Sequence, residues 1–154
     1  MTTTPAPTPP PSAASAEPAI EAAQAALAGE HACVYGYGVA GAHLPDDASA
    51  ALAALTSHRA RRDALTALIA AAGAEPVAAE PGYALPSPVT DEASALALGV
   101  LLEERLGALY ADLVGAATSP ELRELAVRGV VAATVQAVAW GGAPTAFPGL
   151  DGRI

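Results

Sequence analysis

The sequence predicts an all-α protein, a single bundle of four helices. Of its 154 residues, 42 are alanine, 53% are apolar and only 4% are aromatic. Alanine and leucine favour helices, whereas the aromatic and β-branched residues that fill the strands of sandwiches and barrels are scarce. Prolines divide most of the chain into four long proline-free segments, each sufficient for a helix that spans a domain. The length fits one domain of ordinary size.

Proline, glycine and capping residues set the ends of the predicted helices. The four helices are predicted over about residues 19–44, 47–72, 91–117 and 120–140. Gly73 is a typical C-terminal cap of the second helix, and Thr90 is a typical N-cap of the third. Ser119 is the predicted N-cap of the fourth helix, with Pro120 at the first helical position.

The segments between and beyond the helices predict the topology. The connections at 45–46 and 118–119 are very short, so helices one and two form an antiparallel hairpin, as do helices three and four. The connection 73–89 contains four prolines and is long enough to cross the bundle from end to end. Residues 1–16 contain only Thr, Pro, Ala and Ser after the first methionine. We therefore expect a disordered tail ahead of a bundle domain over 17–154, which includes a C-terminal tail.

Charge and cysteine content exclude several classes of function. A net charge of −9, with 7 arginines and no lysine against 16 acids, argues against nucleic acid as a partner, because phosphate binding needs a basic surface. No uncharged apolar run approaches the roughly 18 residues of a membrane span, and we expect no membrane association. The single cysteine, Cys33, excludes an intrachain disulfide framework. The N-terminus lacks the pattern of a signal peptide, and we expect a cytoplasmic protein.

A few polar residues interrupt the apolar faces of the predicted helices. Glu30, His58 and Glu103 lie on apolar stripes of helices one, two and three, and Arg62 follows His58 by one turn. A buried charge must be paired, hydrogen-bonded or metal-bound, so we expect these four side chains to meet inside the bundle. With their neighbours on the same faces, the predicted buried cluster comprises Glu30, His31, Tyr37, His58, Arg62, Glu103 and Tyr110.

A repeated spacing relates the first helix to the third. Glu30 is followed seven residues later by Tyr37, and Glu103 is followed seven residues later by Tyr110. An interval of seven residues places both members of each pair on one face of a helix, two turns apart. Helices one and three therefore look like counterparts in two related halves of the chain.

Several stretches carry a resemblance to a known family. They read AALAGEHACVYGYGVAGAHL, HRARRDAL, EPGYALPSPVTDEASALAL, LEERLGALYADLV and GGAPTAFPGL. Together they resemble an actinobacterial ferritin-like domain family of unknown function, and the likeness covers nearly the whole chain after about residue 17. The resemblance implies a four-helix ferritin-like bundle, with two antiparallel hairpins joined by a long crossover loop. It implies no demonstrated activity.

The wider ferritin-like superfamily implies a possible metal site. Its members bind two iron or manganese ions through Glu on one helix and Glu-x-x-His on the next, repeated in the second hairpin. By this resemblance, Glu30, His58 and either Glu103 or Glu104 match ligand positions. Leu55 stands where the Glu of the second helix is expected, and the fourth helix has no Glu-x-x-His. Three candidate ligands therefore remain of six.

Two functions follow from these residues. A metal-free cluster, with Arg62 and His58 in place of metal, is the interpretation we favour. It predicts a non-catalytic structural or interaction module without a cofactor. The alternative is an iron- or manganese-binding protein with oxidase or metal-handling activity, using a two-metal site or a single weaker site. Alanine-rich, glycine-bearing helix surfaces suit close packing against a second copy, so we also expect a homodimer.

Overall fold

The chain folds into four α-helices with no strand in residues 13–150, the part of the chain that the computed structural model describes. The helices are α1 (Ala13–Gly41), α2 (Ala48–Ala71), α3 (Glu92–Ala116) and α4 (Pro120–Ala139). The predicted all-α four-helix architecture is confirmed. No helix in the described part of the chain has the length and apolar character needed to cross a membrane.

The start of α1 differs from the prediction. This helix begins at Ala13, ahead of the predicted start at residue 19, and contains Pro18 in its second turn. Alanine and glutamate around Pro18 favour helix strongly enough for α1 to continue on the N-terminal side of the proline, although the proline removes one backbone hydrogen bond. The rest of the predicted tail, residues 1–12, lies outside the described residues.

Capping residues mark the starts of α3 and α4 and the end of α2. Asp91, not Thr90, is the N-cap of α3: its side chain accepts a hydrogen bond from the Ser94 amide, and the Ser94 side chain reciprocally accepts one from the Asp91 amide. The predicted caps of the neighbouring helices are confirmed. Ser119 accepts from the backbone at the start of α4, and Gly73 adopts a left-handed φ of 83° after α2.

The directions of the helices follow from contacts across the core. Tyr37 of α1 contacts Glu103 of α3, and Tyr110 of α3 contacts Glu30 of α1, so residue numbers rise along α1 as they fall along α3. Helices α1 and α3 are therefore antiparallel. Since α1–α2 and α3–α4 are hairpins with short connections, α2 and α3 run parallel, and the segment between them must travel the length of the bundle.

The crossover segment lies along α1. Gln24 accepts a hydrogen bond from the Val77 amide and donates to the Glu75 carbonyl. Further along α1, the ring of Tyr35 packs on that of Tyr83, with centroids 5.5 Å apart. These contacts follow the same order along both segments, so the crossover runs in the direction of α1.

Small residues allow the helices to approach one another. A Cβ on Gly129 would lie 2.5 Å from the Tyr110 ring, and a Cβ on Gly99 would lie 3.1 Å from the Trp140 indole. Pairs α1–α2, α1–α3 and α3–α4 pack along their lengths, whereas α2 and α4 touch at few positions. The bundle is therefore open along one side, between α2 and α4.

A buried ion cluster as the candidate functional site

Three ionisable side chains from three helices meet in the middle of the bundle. Glu30 of α1, His58 of α2 and Glu103 of α3 are each at most 1% exposed. The His58 ring lies between the two carboxylates, with Nδ1 2.8 Å from Glu30 Oε2 and Nε2 3.0 Å from Glu103 Oε1. The structure thus brings together three residues that the sequence predicted to meet.

The two tyrosines complete the cluster in a reciprocal pattern. Tyr37 donates to Glu103 Oε1 over 2.5 Å, and Tyr110 donates to Glu30 Oε1 over 2.6 Å. Each glutamate is therefore bonded by the tyrosine of the other helix, not by the tyrosine seven residues along its own. This exchange is the pattern expected if α1 and α3 are counterparts in two related halves.

The cluster contains Arg61 in place of the predicted Arg62. Arg61 Nε donates to Glu30 Oε1 over 2.7 Å, and its side chain is 20% exposed. Arg62 instead pairs with Asp63 near the surface, over 2.7 Å. Positions three and four residues after His58 lie on neighbouring parts of one helix face, so periodicity could not decide which arginine turns inward.

Two further predictions are corrected. His31 is half-buried and makes its hydrogen bond with the Val77 carbonyl of the crossover, 3.2 Å away, so it lies outside the cluster. Glu104 is exposed, because it follows the inward-facing Glu103 by one residue and is rotated away from the core.

Trp140 is a member of the network that the sequence did not reveal. Its Nε1 donates to the Tyr37 hydroxyl over 2.7 Å, and the side chain is 6% exposed. A buried indole N–H usually donates to a hydrogen-bond acceptor. The position of Trp140 at the end of a core helix is therefore the sequence signal that could have indicated a polar partner. Trp140 extends the cluster to the C-terminal end of α4.

The carboxylates beside His58 shift its pKa. Burial by itself lowers the pKa of His58, but hydrogen bonds to Glu103 and Glu30 and the negative charges of both raise it above its ordinary value. Each ring nitrogen faces a carboxylate oxygen, which only accepts, so these two contacts favour a ring with protons on both nitrogens. Arg61 Nη2 also lies 2.9 Å from Nδ1, which could accept from Arg61 only if it carried no proton, and Arg61 donates to Glu30 through Nε.

The formal charges of the cluster balance when His58 is protonated. The charges of Glu30, Glu103, His58 and Arg61 then sum to zero, which limits the cost of burying them. Burial and the charge of Glu103 raise the pKa of Tyr37, and burial and the charge of Glu30 raise that of Tyr110. Both phenols therefore stay protonated and donate. Burial also raises the pKa of the Cys33 thiol, which makes it unreactive.

The donor atoms do not fit the two-metal centre that the resemblance implied. Both oxygens of Glu30 and both ring nitrogens of His58 are engaged in hydrogen bonds within the cluster. Glu103 Oε2 is buried without a partner among the described residues. Between residues 13 and 150, no three His, Cys, Asp or Glu side chains are arranged to hold a metal ion. The chemistry of this donor set is therefore that of an ion-pair network.

The fold and the cluster define a four-helix protein with a buried, charge-balanced ion network. The sequence matches the family described as a domain of unknown function, DUF4439, over residues 22–152, and the chain belongs to this family. Its structure is similar to the crystal structure of a conserved hypothetical protein, rv2844, from Mycobacterium tuberculosis. The two share 31% sequence identity with a TM-score of 0.79, over 82% of this chain and 89% of that chain. No curated protein matches the sequence.

Proposed function

We propose that this protein is a non-catalytic ferritin-like module in which an ion cluster takes the place of the metal centre. The observation that carries the proposal is the position of His58, whose two ring nitrogens bond the carboxylates of Glu30 and Glu103. An imidazolium between two carboxylates supplies the positive charge that metal ions supply in metal-binding relatives. The antiparallel hairpins and single long crossover support the ferritin-like assignment.

In this proposal the cluster has a structural role and needs no cofactor. It ties α1, α2 and α3 together at mid-height, and Trp140 ties the end of α4 to the same network. Breaking a buried, hydrogen-bonded ion pair leaves an uncompensated charge and costs about 3–5 kcal/mol. The network therefore selects one arrangement of the four helices.

Elemental analysis tests the proposal. Protein expressed with abundant iron and manganese and purified anaerobically is expected to contain far less than one metal ion per chain. The Glu30→Ala variant is expected to have the same low content. Near-stoichiometric iron or manganese that is lost in Glu30→Ala would refute the metal-free role.

One observation favours the alternative function, iron or manganese binding. Glu103 Oε2 is a buried carboxylate oxygen without a partner among the described residues, and the His58 ring lies beside the other oxygen of the same carboxylate. A metal ion at this position would have to displace protons from His58. A pH-dependent uptake of manganese that Glu103→Gln abolishes is the result that would establish this alternative.

We also propose that two copies associate through the hairpin of α1 and α2. Leu52 is 60% exposed on this surface. A cavity of about 210 Å³ beside it is lined in part by Gly38 and Gly41. A Cβ on Gly38 would meet no atom within 4 Å, so its backbone is open to close approach by a helix of the second copy. An exposed leucine beside an open glycine supports a helix–helix contact.

Sedimentation separates this dimer from other modes of association. Leu52→Asp is expected to convert a dimer into a monomer, because a carboxylate would be buried at the contact. Val131→Asp, a matched substitution of an exposed apolar residue on α4, is expected to leave the dimer intact. A monomeric wild-type protein at all concentrations, or equal effects of the two substitutions, would contradict this interface.

A further inference from the structure

The open side of the bundle is a groove between α2 and α4. The groove has a volume of about 500 Å³, within the range of small-molecule sites, and His58 and Glu103 lie at its floor. A second cavity of about 350 Å³ continues it towards the start of α4. Arg61 and Arg128 line both cavities, so they lie where the two meet.

One wall of the groove is an exposed apolar stripe. Val127, Val131 and Val135 lie on successive turns of α4 and are 46%, 58% and 64% exposed. All three line the groove, and Ala54 of α2 lines it too. Scattered exposed apolar residues need no explanation, whereas a continuous stripe beside a concave surface is typical of a binding site.

The accessible charges that line the first cavity of the groove are positive. The Arg61 side chain is 20% exposed and is held by Glu30 through Nε, so its orientation is fixed. The Arg128 side chain is 78% exposed and pairs with Glu124 one turn earlier. An exposed pair of this kind contributes little, so Arg128 can exchange Glu124 for another anion at small cost.

The acids of the groove lie elsewhere. Glu103 is 1% exposed at the floor, and its unpartnered Oε2 is inaccessible to solvent. Glu121 and Glu124 line only the second cavity, where Glu124 pairs with Arg128. An anionic group at the junction therefore meets two guanidinium groups when it replaces Glu124 as the partner of Arg128, while an apolar chain meets the valines of the first cavity.

We propose that this groove binds a long-chain carboxylate. The carboxylate lies between Arg61 and Arg128, where guanidinium groups make charge-assisted hydrogen bonds, and the acyl chain lies along Val127, Val131 and Val135. The acyl chain of the ligand covers the apolar stripe that the four helices leave exposed. This site lies outside the proposed dimer contact. It goes beyond the proposed function, which includes no ligand or cofactor.

Calorimetric titration of the full chain tests the site with three probes of equal chain length. These are decanoate, 1-decanol and decyltrimethylammonium, each below its micelle concentration. Decanoate is expected to bind at one per chain and at least tenfold more tightly than either of the others, because only decanoate presents a negatively charged acceptor to the two arginines.

Substitutions locate the probe in the groove. Arg128→Gln is expected to weaken decanoate binding about tenfold or more, whereas Arg59→Gln, at an exposed position of α2 that does not line the groove, is expected to leave it unchanged. Val131→Asp is expected to abolish binding, and Leu52→Asp is expected to preserve it whether or not the protein dimerises. No decanoate binding, tighter binding of the cation, or equal effects of the two arginine substitutions would overturn the proposal.

Discussion

His58 lies between two carboxylates, and each of its ring nitrogens lies within hydrogen-bond distance of one of them. The sequence could predict that Glu30, His58 and Glu103 share the core, because each interrupts an apolar stripe of period 3.6. It could not predict which arginine joins them. That choice depends on the rotation of α2 about its axis and on side-chain reach, which periodicity leaves undetermined between Arg61 and Arg62.

The two arginines provide a matched pair of substitutions. Arg61→Ala is expected to lower the free energy of unfolding by about 3 kcal/mol, the low end for a buried pair, because the Arg61 side chain is 20% exposed and Glu30 loses its guanidinium partner but keeps His58 and Tyr110. Arg62→Ala is expected to change it by no more than about 0.5 kcal/mol, as for other surface positions. Urea unfolding measures both, and a larger effect of Arg62→Ala would show that the wrong arginine has been placed in the core.

The protonation of His58 makes stability depend on pH. Its pKa is raised in the folded protein, so the folded state binds more protons than the unfolded state between the two pKa values. The stabilisation is fully present below the unfolded pKa of about 6.5 and is lost as pH rises through the folded value, with a slope of at most about 1.4 kcal/mol per pH unit. Urea unfolding between pH 6 and pH 9 measures this slope, and His58→Gln should reduce it. An unchanged slope in the variant would assign the effect to other groups.

At the scale of the helices, the sequence predicts most helix ends closely, whereas it does not predict one close contact between helices. The ends of α2, α3 and α4 lie within one residue of those predicted from proline, glycine and capping residues. The sequence placed a cap near the start of α3, but only the hydrogen bonds with Ser94 distinguish Asp91 from Thr90. Nothing in the sequence showed that the Tyr110 ring lies against Gly129 of α4.

Gly129 makes room for a tyrosine of the cluster. Gly129→Ala would place a Cβ 2.5 Å from the Tyr110 ring, and the expected loss is about 1–3 kcal/mol despite the better helix propensity of alanine. Gly115→Ala is the control in α3, where an added Cβ meets no atom within 4 Å, and it is expected to stabilise by up to about 1 kcal/mol. Thermal unfolding distinguishes them, and stabilisation by both substitutions would contradict the close packing of α4 on Tyr110.

At the scale of the whole molecule, loop lengths predicted the connectivity of two hairpins and a crossover. The open side between α2 and α4 was not predictable, because periodicity shows which face of a helix is apolar but not whether a neighbouring helix covers it. Val127, Val131 and Val135 of α4 illustrate this, since they are apolar yet 46% to 64% exposed. The groove beside them exists because α4 packs on α3 and touches α2 at few positions.

The central claim of the proposed function is that a protonated His58, held by Glu30 and Glu103, takes the place of a metal centre in the core of the bundle. Nitrogen-15 NMR of the His58 ring at pH 7.5 tests it directly. We predict two protonated ring nitrogens, with shifts of an imidazolium that stay unchanged on addition of manganese or ferrous iron. A single protonated nitrogen at this pH, or loss of the His58 signals at one equivalent of metal, would contradict the claim.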